Sequence, residues 1–241
     1  MTVKRVSIAL SSAPCAARRK RLAASATGAV MLLSLSLGCG IATIRPLATS
    51  TPSGAAASGS SSRTSAGFSA AKYVDDRWAT KILPAAAAAP SLTTLVGAIQ
   101  HGLDAAGKTY GHRESGPYNF PVQVQGVVDR LDTASRAGTL ILKPTGDGSN
   151  VSVEVRVAIG PVIRGTAVRD GSGVVPFSDF VNQIEYADVA EELNKRVADA
   201  VLKPLDPKTL VGKTISVQGF FALASADANT ITITPVKIEV K

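Results

Sequence analysis

The chain has 241 residues, enough for one or two domains, with 26 Lys and Arg against 18 Asp and Glu and a formal net charge of +8. The excess sits at one end: Lys4, Arg5, Arg18, Arg19, Lys20 and Arg21 precede residue 39, the first acid is Asp75, and the remainder carries 20 basic against 18 acidic residues. A near-neutral remainder argues against a nucleic-acid binder, which needs a persistent basic surface to release counterions from phosphate.

In chain order, the basic block leads into a small and apolar run, Leu22 to Leu37, and then into small residues, the layout of an export signal. Its cations stay on the cytoplasmic side while the apolar run enters the membrane. A run of 16 residues is short for a spanning helix, which needs ~20. Residues 1–38 are therefore expected to be a cleaved signal peptide of lipoprotein type, the alternative being an uncleaved anchor. The segment Ser36 to Cys39 resembles a bacterial lipobox, with Ser36 where Leu is usual. In that motif the cysteine carries the lipid, so Cys39 is the expected lipidation site and the protein is expected on the periplasmic side of a bacterial cell membrane. The other cysteine, Cys15, lies in the signal, so the mature part has no disulfide.

Residues 39–67 are expected to form a disordered Ser/Gly/Ala-rich tether, with too little apolar surface to offset the entropy of ordering. A tether of that composition reaches on the order of 25–30 Å. Residues 68–110 are expected to be a helical segment. Ser69 caps a first helix with Ala71, Val74, Trp78 and Ile82 on one face, interrupted by Pro84 and the Ala-rich run to Pro90. Ser91 caps a second, with the stripe Leu92, Leu95, Val96, Ile99 and Leu103, closed by Gly107.

From Phe120 the period changes to two. Val122, Val124 and Val128 alternate around Gly126, which marks a bend or bulge. Leu140 and Leu142 share a face in a second strand. Val151, Val153, Val155, Val157 and Ile159 share one in a third, the clearest in the chain. A helix over about 178–203 follows, with Asp188 and Glu191 as a capping box and Val189, Leu193, Val197 and Val201 as its buried stripe. Two strands close the chain, one with Ile215, Val217 and Phe221 in phase, the other phase-shifted at Pro235. Three strands, a helix and two strands is the order of an OB-fold. The fold class is thus mainly β with helices (α+β): an OB-fold-like five-stranded Greek-key barrel over 111–241, capped by the helix between strands 3 and 4 and preceded by two N-terminal helices packed with it as one unit. The alternative is an open α+β sandwich of the same strands.

The segments "KTYG" (108–111), "SGPYNFPV" (115–122), "GPVIRGTAVRD" (160–170), "FSDFVNQIEYADVAEELN" (177–194), "LVGKTISVQGFF" (210–221) and "ITPVKIEV" (233–240) resemble a family of predicted periplasmic lipoproteins of unknown function. The resemblance covers roughly residues 67–240 and is most specific in the 160–194 block. It implies lipidation of Cys39. It also implies an accessory role beside sugar ABC transporters, whose genes often neighbour those of such proteins.

Enzyme-like patterns fail on their own requirements. Gly212–Thr214 lacks the glycine of a phosphate-binding loop, which would fall at Pro207, and leads into a strand rather than a helix. Ser69 and Lys72 have the spacing of a penicillin-binding Ser-x-x-Lys, but no Ser-Asp-Asn partner accompanies them and Ser69 serves as a cap. His101 and His112 lack a carboxylate cluster to make a metal site. No aromatic residue occurs between Pro121 and Pro176, which removes a stacking surface for bases or sugars on strands 2 and 3. No catalytic set, cofactor or metal is expected. The remaining candidate is a polar group in the 160–194 block: Arg164, Arg169, Asp170, Asn182, Gln183 and Glu185. An arginine fork there suits an anion or a partner carboxylate. The bland alternative is a structural network, with Arg164 paired to Asp170 or Glu185 and Asn182 satisfying backbone groups at a helix start. The expected function is a lipid-anchored, non-catalytic interaction module whose partners are ABC-transporter subunits or their solute-binding protein. The alternative is a stand-alone periplasmic binder of an anionic or sugar ligand.

Overall fold

The computed structural model describes residues 67–146 and 151–241, so the expected signal peptide, Cys39 and all but the last residue of the expected tether lie outside the described residues. Five strands, β1 (Tyr118–Asp132), β2 (Thr139–Pro144), β3 (Glu154–Ala158), β4 (Thr214–Leu223) and β5 (Thr230–Val240), close into a barrel in the order β1-β2-β3-β5-β4. All pairings are antiparallel except β3 with β5. Closure leaves no long unpaired edge.

β1 serves two partners. Tyr118 to Val127 pairs with β4, and Gly126 to Asp132 pairs with β2. Gly126 stands at the corner between them, where a Cβ would lie 2.4 Å from the Lys143 carbonyl oxygen. The glycine is therefore the expected bend. The bulge is separate and lies at Asp129, where the β1–β2 register slips between Val128 and Arg130. The phase shift at Pro235 is also a bulge: Gln218 pairs with Lys237 and Gly219 with Pro235, leaving Val236 as the extra residue. β3 is shorter than its alternating pattern, because its partners engage it only over Glu154 to Ala158. Val151, Val153 and Ile159 still pack, partly buried, against the barrel interior.

Ser69 caps α1 (Ala70–Arg77) by accepting from the Lys72 N–H, and Ser91 caps α3 (Leu92–His101) by accepting from the Thr94 N–H. Val74, Trp78 and Ile82 are buried as expected, but Ala71 is exposed and Ala70 packs inward instead. Pro84 does not interrupt the helix. A wide π turn, Trp78–Ile82, precedes it, and α2 (Leu83–Ala87) continues through it. The looser turn accommodates a ring that would crowd an α-helical carbonyl. The second expected helix is two, because Gly102 at φ 144° ends α3 and begins α4 (Leu103–Tyr110). Gly107 closes nothing. It lies within α4, against the ring of Tyr118.

Two cores result. The interior core joins the inward residues of all five strands, among them Phe120, Val122, Leu140, Val157, Val217 and Ile233, to Leu92, Leu95, Val96 and Ile99 of α3. The barrel wall is closed by hydrogen bonds, so α3 reaches this interior only through an end. The second core lies outside the wall, where Phe220 of β4 and Val236 of β5 meet α1, α2, α5 (Ala167–Gly171) and α6 (Gln183–Val197). The expected capping of the barrel by the helix after strand 3 is thus corrected. The stripe of that helix, Val189, Leu193 and Val197, packs on the outer face, while α3, which precedes β1, fills the interior.

Two glycines test this packing in opposite senses. Gly126→Ala drives a methyl into strand backbone and is expected to cost about 1–3 kcal/mol. Gly97→Ala, inside α3 with no atom within 4 Å of its added Cβ, is expected to stabilise by about 0.5–1 kcal/mol through helix propensity. Urea unfolding of both variants reads the two signs.

Candidate functional site

The 160–194 block folds as a loop, the short helix α5, a 3₁₀ turn (Phe177–Asp179) and α6. Asn182 caps α6, its Oδ1 accepting from the N–H groups of Ile184 and Glu185 at 2.9 Å each. Glu185 is 1% exposed and reaches back to accept from the Val181 N–H at 3.2 Å. This pair is a capping box in all but the last step of its register, so the expected box at Asp188 and Glu191 is displaced six residues upstream. Asp188 and Glu191 lie inside the helix.

Arg169 and Asp170 come together, and Arg164, the expected partner of Asp170 or Glu185, does not join them. Arg164 is exposed on the loop before α5, Gln183 is exposed in the first turn of α6, and Glu185 serves the helix start. Arg169 Nε donates to Asp170 Oδ1 at 2.7 Å, and a terminal nitrogen of its guanidinium donates to the Tyr186 carbonyl at 3.0 Å. The guanidinium lies 3.5 Å from the Tyr186 ring centroid. The Tyr186 hydroxyl donates to Asp170 Oδ1 at 3.1 Å, and the Thr166 hydroxyl donates to Asp170 Oδ2 at 2.5 Å. The side chains of Arg169 and Asp170 are 11% and 10% exposed. The Nε, one terminal nitrogen and one face of this guanidinium are thus engaged within the protein.

A second cluster of the same make stands beside it. Tyr73 donates to Asp179 Oδ2 at 2.7 Å, Arg77 donates to the same oxygen at 3.4 Å, and the Arg77 guanidinium lies 3.6 Å from the Tyr73 ring centroid. The aromatic rings Phe68, Tyr73, Phe180, Tyr186 and Phe177 form one connected chain with centroid separations of 5.0–6.4 Å. Two Arg–Tyr–Asp clusters therefore fasten α1 to the turn before α6, and α5 to α6. Sequence reasoning missed Tyr73, Arg77, Asp179 and Tyr186. Tyr73 and Arg77 are one helical turn apart, a spacing that places them on one face, but their carboxylate partner lies more than 100 residues away. Burial, reinforced by the Asp170 charge, pushes the Tyr186 hydroxyl up to about 12 from its ordinary 10.0. Burial and the hydrogen bond to Asp179 raise Tyr73 as well.

The outer face of β1 to β3 carries a ladder of alternating charge. Lys143 pairs with Asp129, Asp129 with Arg130, Arg130 with Glu154 and Glu154 with Arg156. The hydrogen bonds from Lys143 and Arg156 hold the carboxyl groups of Asp129 and Glu154 below their usual range. Asp129, Arg130, Lys143 and Glu154 line a shallow depression of about 420 Å³. Its charges satisfy one another, and it offers no ring for stacking. A second cleft, of about 520 Å³, is lined by uncharged polar groups of Ser91, Gln123, Gln125 and Ser216 and by Lys241. The Lys241 Nζ donates to the Gln125 side-chain oxygen at 2.7 Å. Among the described residues, no group of three or more His, Cys, Asp or Glu could hold a metal ion, and no helix is long and apolar enough to cross a membrane.

Three measurements bear on the clusters. Arg169→Ala is expected to lose about 2–4 kcal/mol, because it leaves Asp170 largely desolvated without its counter-charge. Arg164→Ala is expected to stay within about 0.5 kcal/mol of the parent. For pH, the unfolded chain ionises Tyr186 near 10.0 while the folded chain holds its proton to about 12. The stability this contributes is full below pH 10 and is lost as pH rises through that window. Tyr186→Phe should flatten the decline, as read by thermal unfolding across the window.

The model of the family described as "Predicted periplasmic lipoprotein (DUF2291)" matches residues 29–239, a span that includes Cys39 and the barrel up to the last residue but one of β5. No curated protein matches the chain. Among solved structures, a crystal structure of an OB-fold protein from Thermotoga maritima MSB8 aligns with a TM-score of 0.59 at 18% identity, covering 73% of this chain and 100% of the other. At that identity the likeness establishes the fold, and the five-stranded barrel is an OB-fold. The match over nearly the whole length places the chain in DUF2291, the family of predicted periplasmic lipoproteins.

Proposed function

We propose that the protein is a non-catalytic accessory module, held to the periplasmic face of the cell membrane by a lipid on Cys39, that binds a subunit of a sugar ABC transporter or its solute-binding protein. In this reading residues 1–38 are the signal peptide, residues 39–67 the tether, and the helices of 68–110 act with the barrel of 111–241 as one unit. One observation carries the non-catalytic part. Arg169, Asp170 and Tyr186 are bonded to one another and Asn182 and Glu185 to the start of α6, while Arg164 and Gln183 stay outside both groups, which fits a scaffold that holds a surface in shape. The transporter part rests on the family resemblance.

A second reading has an observation of its own. The 520 Å³ cleft with its amide and hydroxyl lining suits a small polar ligand held by a free-standing binding protein. Crosslinking in native membranes separates the two. Recovery of transporter subunits or a solute-binding protein is the expected result. Recovery of the protein alone, with a sugar or anion that raises its melting temperature, would replace the accessory reading. Cys39→Ala is expected to move the protein out of the membrane fraction, and its retention there would overturn the lipid anchor.

A further inference from the structure

Three apolar side chains stand out of the surface within eight residues: Phe177 at 40% exposure, Val181 at 81% and Ile184 at 43%. They sit on the 3₁₀ turn, the loop after it and the first turn of α6. Val181 flanks the N-cap residue Asn182, and its own N–H is held by Glu185, so the side chain is displayed by a fixed backbone. Phe177 rests edge-on against Tyr186. The segment from Pro176 to Ile184 holds one ionisable residue, Asp179, which is already paired to Arg77 and Tyr73. Within this segment, removing water strands no bare charge.

The position of this patch relative to the chain's entry identifies what covers it. Phe68, at the start of the described residues, packs its ring 5.7 Å from that of Phe180, the neighbour of Val181. The chain thus enters the domain beside the patch. Only 28 residues separate Phe68 from Cys39, so a lipid on Cys39 keeps this corner of the domain within tether reach of the bilayer. A linker of that length turns contact with the surface into an intramolecular event at an effective concentration of roughly millimolar order, so even a weak patch is occupied.

We infer that the Phe177–Val181–Ile184 corner docks on the phospholipid bilayer, with these side chains entering the interface and the barrel held upright by its own tether. The inference rests on the lipid-anchor reading of Cys39. Side chains of this kind on a polar scaffold lie about 5–10 Å into the headgroup boundary. Docking fixes the orientation of the domain and leaves the charge ladder of β1 to β3 free.

Mature lipidated protein carrying Val181→Cys, labelled with an environment-sensitive fluorophore, tests this in phosphatidylcholine and phosphatidylglycerol vesicles containing spin-labelled lipid. Lipidated Cys39 offers no thiol, so the probe reports one position. The control is the same label at Val211→Cys, an equally apolar site, 45% exposed, between Lys208 and Lys213. Docking is expected to quench more than about half of the emission at position 181 and less than about a tenth at 211. Co-flotation with vesicles but no quenching at 181, or equal quenching at both sites, overturns docking and leaves the anchor standing. Failure to co-float overturns the anchor and the docking with it. Shielding of position 181 only when transporter subunits share the vesicles overturns the bilayer as occupant in favour of a protein.

Discussion

The architecture depends on a single strand serving two neighbours. β1 must pair with β4 along its first two-thirds and with β2 along its last, and the wall closes only if it turns between them. Gly126 permits that turn because the Lys143 carbonyl occupies the space a side chain would need. The bulge at Asp129 then adds twist just beyond the corner. Without this corner β2 could not follow β1 round the barrel, and β3 could not reach β5 for the parallel pairing that completes the ring.

Closure decides where the helices go. A sealed interior admits apolar side chains only through an end, and α3 takes that place with Leu92, Leu95, Val96 and Ile99. The helix that follows β3 must then find another apolar surface. Phe220 provides it, because β4 places consecutive phenylalanines on opposite sides of the wall, Phe221 inside and Phe220 outside. Around Phe220 and Val236 the segments α1, α2, α5 and α6 assemble a second core. Parts of the chain more than 100 residues apart meet there, and the two Arg–Tyr–Asp clusters form on its rim.

Those clusters change how the 160–194 block is understood. A run rich in Arg, Asp, Asn and Glu suggests a ligand site when read as a list. In three dimensions each arginine of the clusters lies on a tyrosine and against an aspartate. Their hydrogen bonds make the surface around Phe177 to Ile184 a rigid display. In the reading proposed above, contact with the surroundings falls to the apolar side chains Phe177, Val181 and Ile184 within that block.

Much of this was legible in the sequence. Alternation revealed the strands, the caps Ser69 and Ser91 follow from local hydrogen bonding, and the phase shift at Pro235 marked an edge or a bulge. The strand-helix order sufficed for the OB-fold. These features are set by neighbours within a few residues, where residue type and spacing suffice. The limits of β3, the passage of the helix through Pro84 and the choice of α3 over α6 for the barrel interior depended on which segments met. So did the partners of Arg169. Arg164 and Arg169 are alike by residue type, and the positions of Asp170 and of Tyr186 on α6 separate the engaged arginine from the exposed one. The sequence by itself determined the local elements and their order. The tertiary structure alone decided which apolar face lies inside the barrel and which polar groups are paired, because both depend on contacts between residues far apart in the chain.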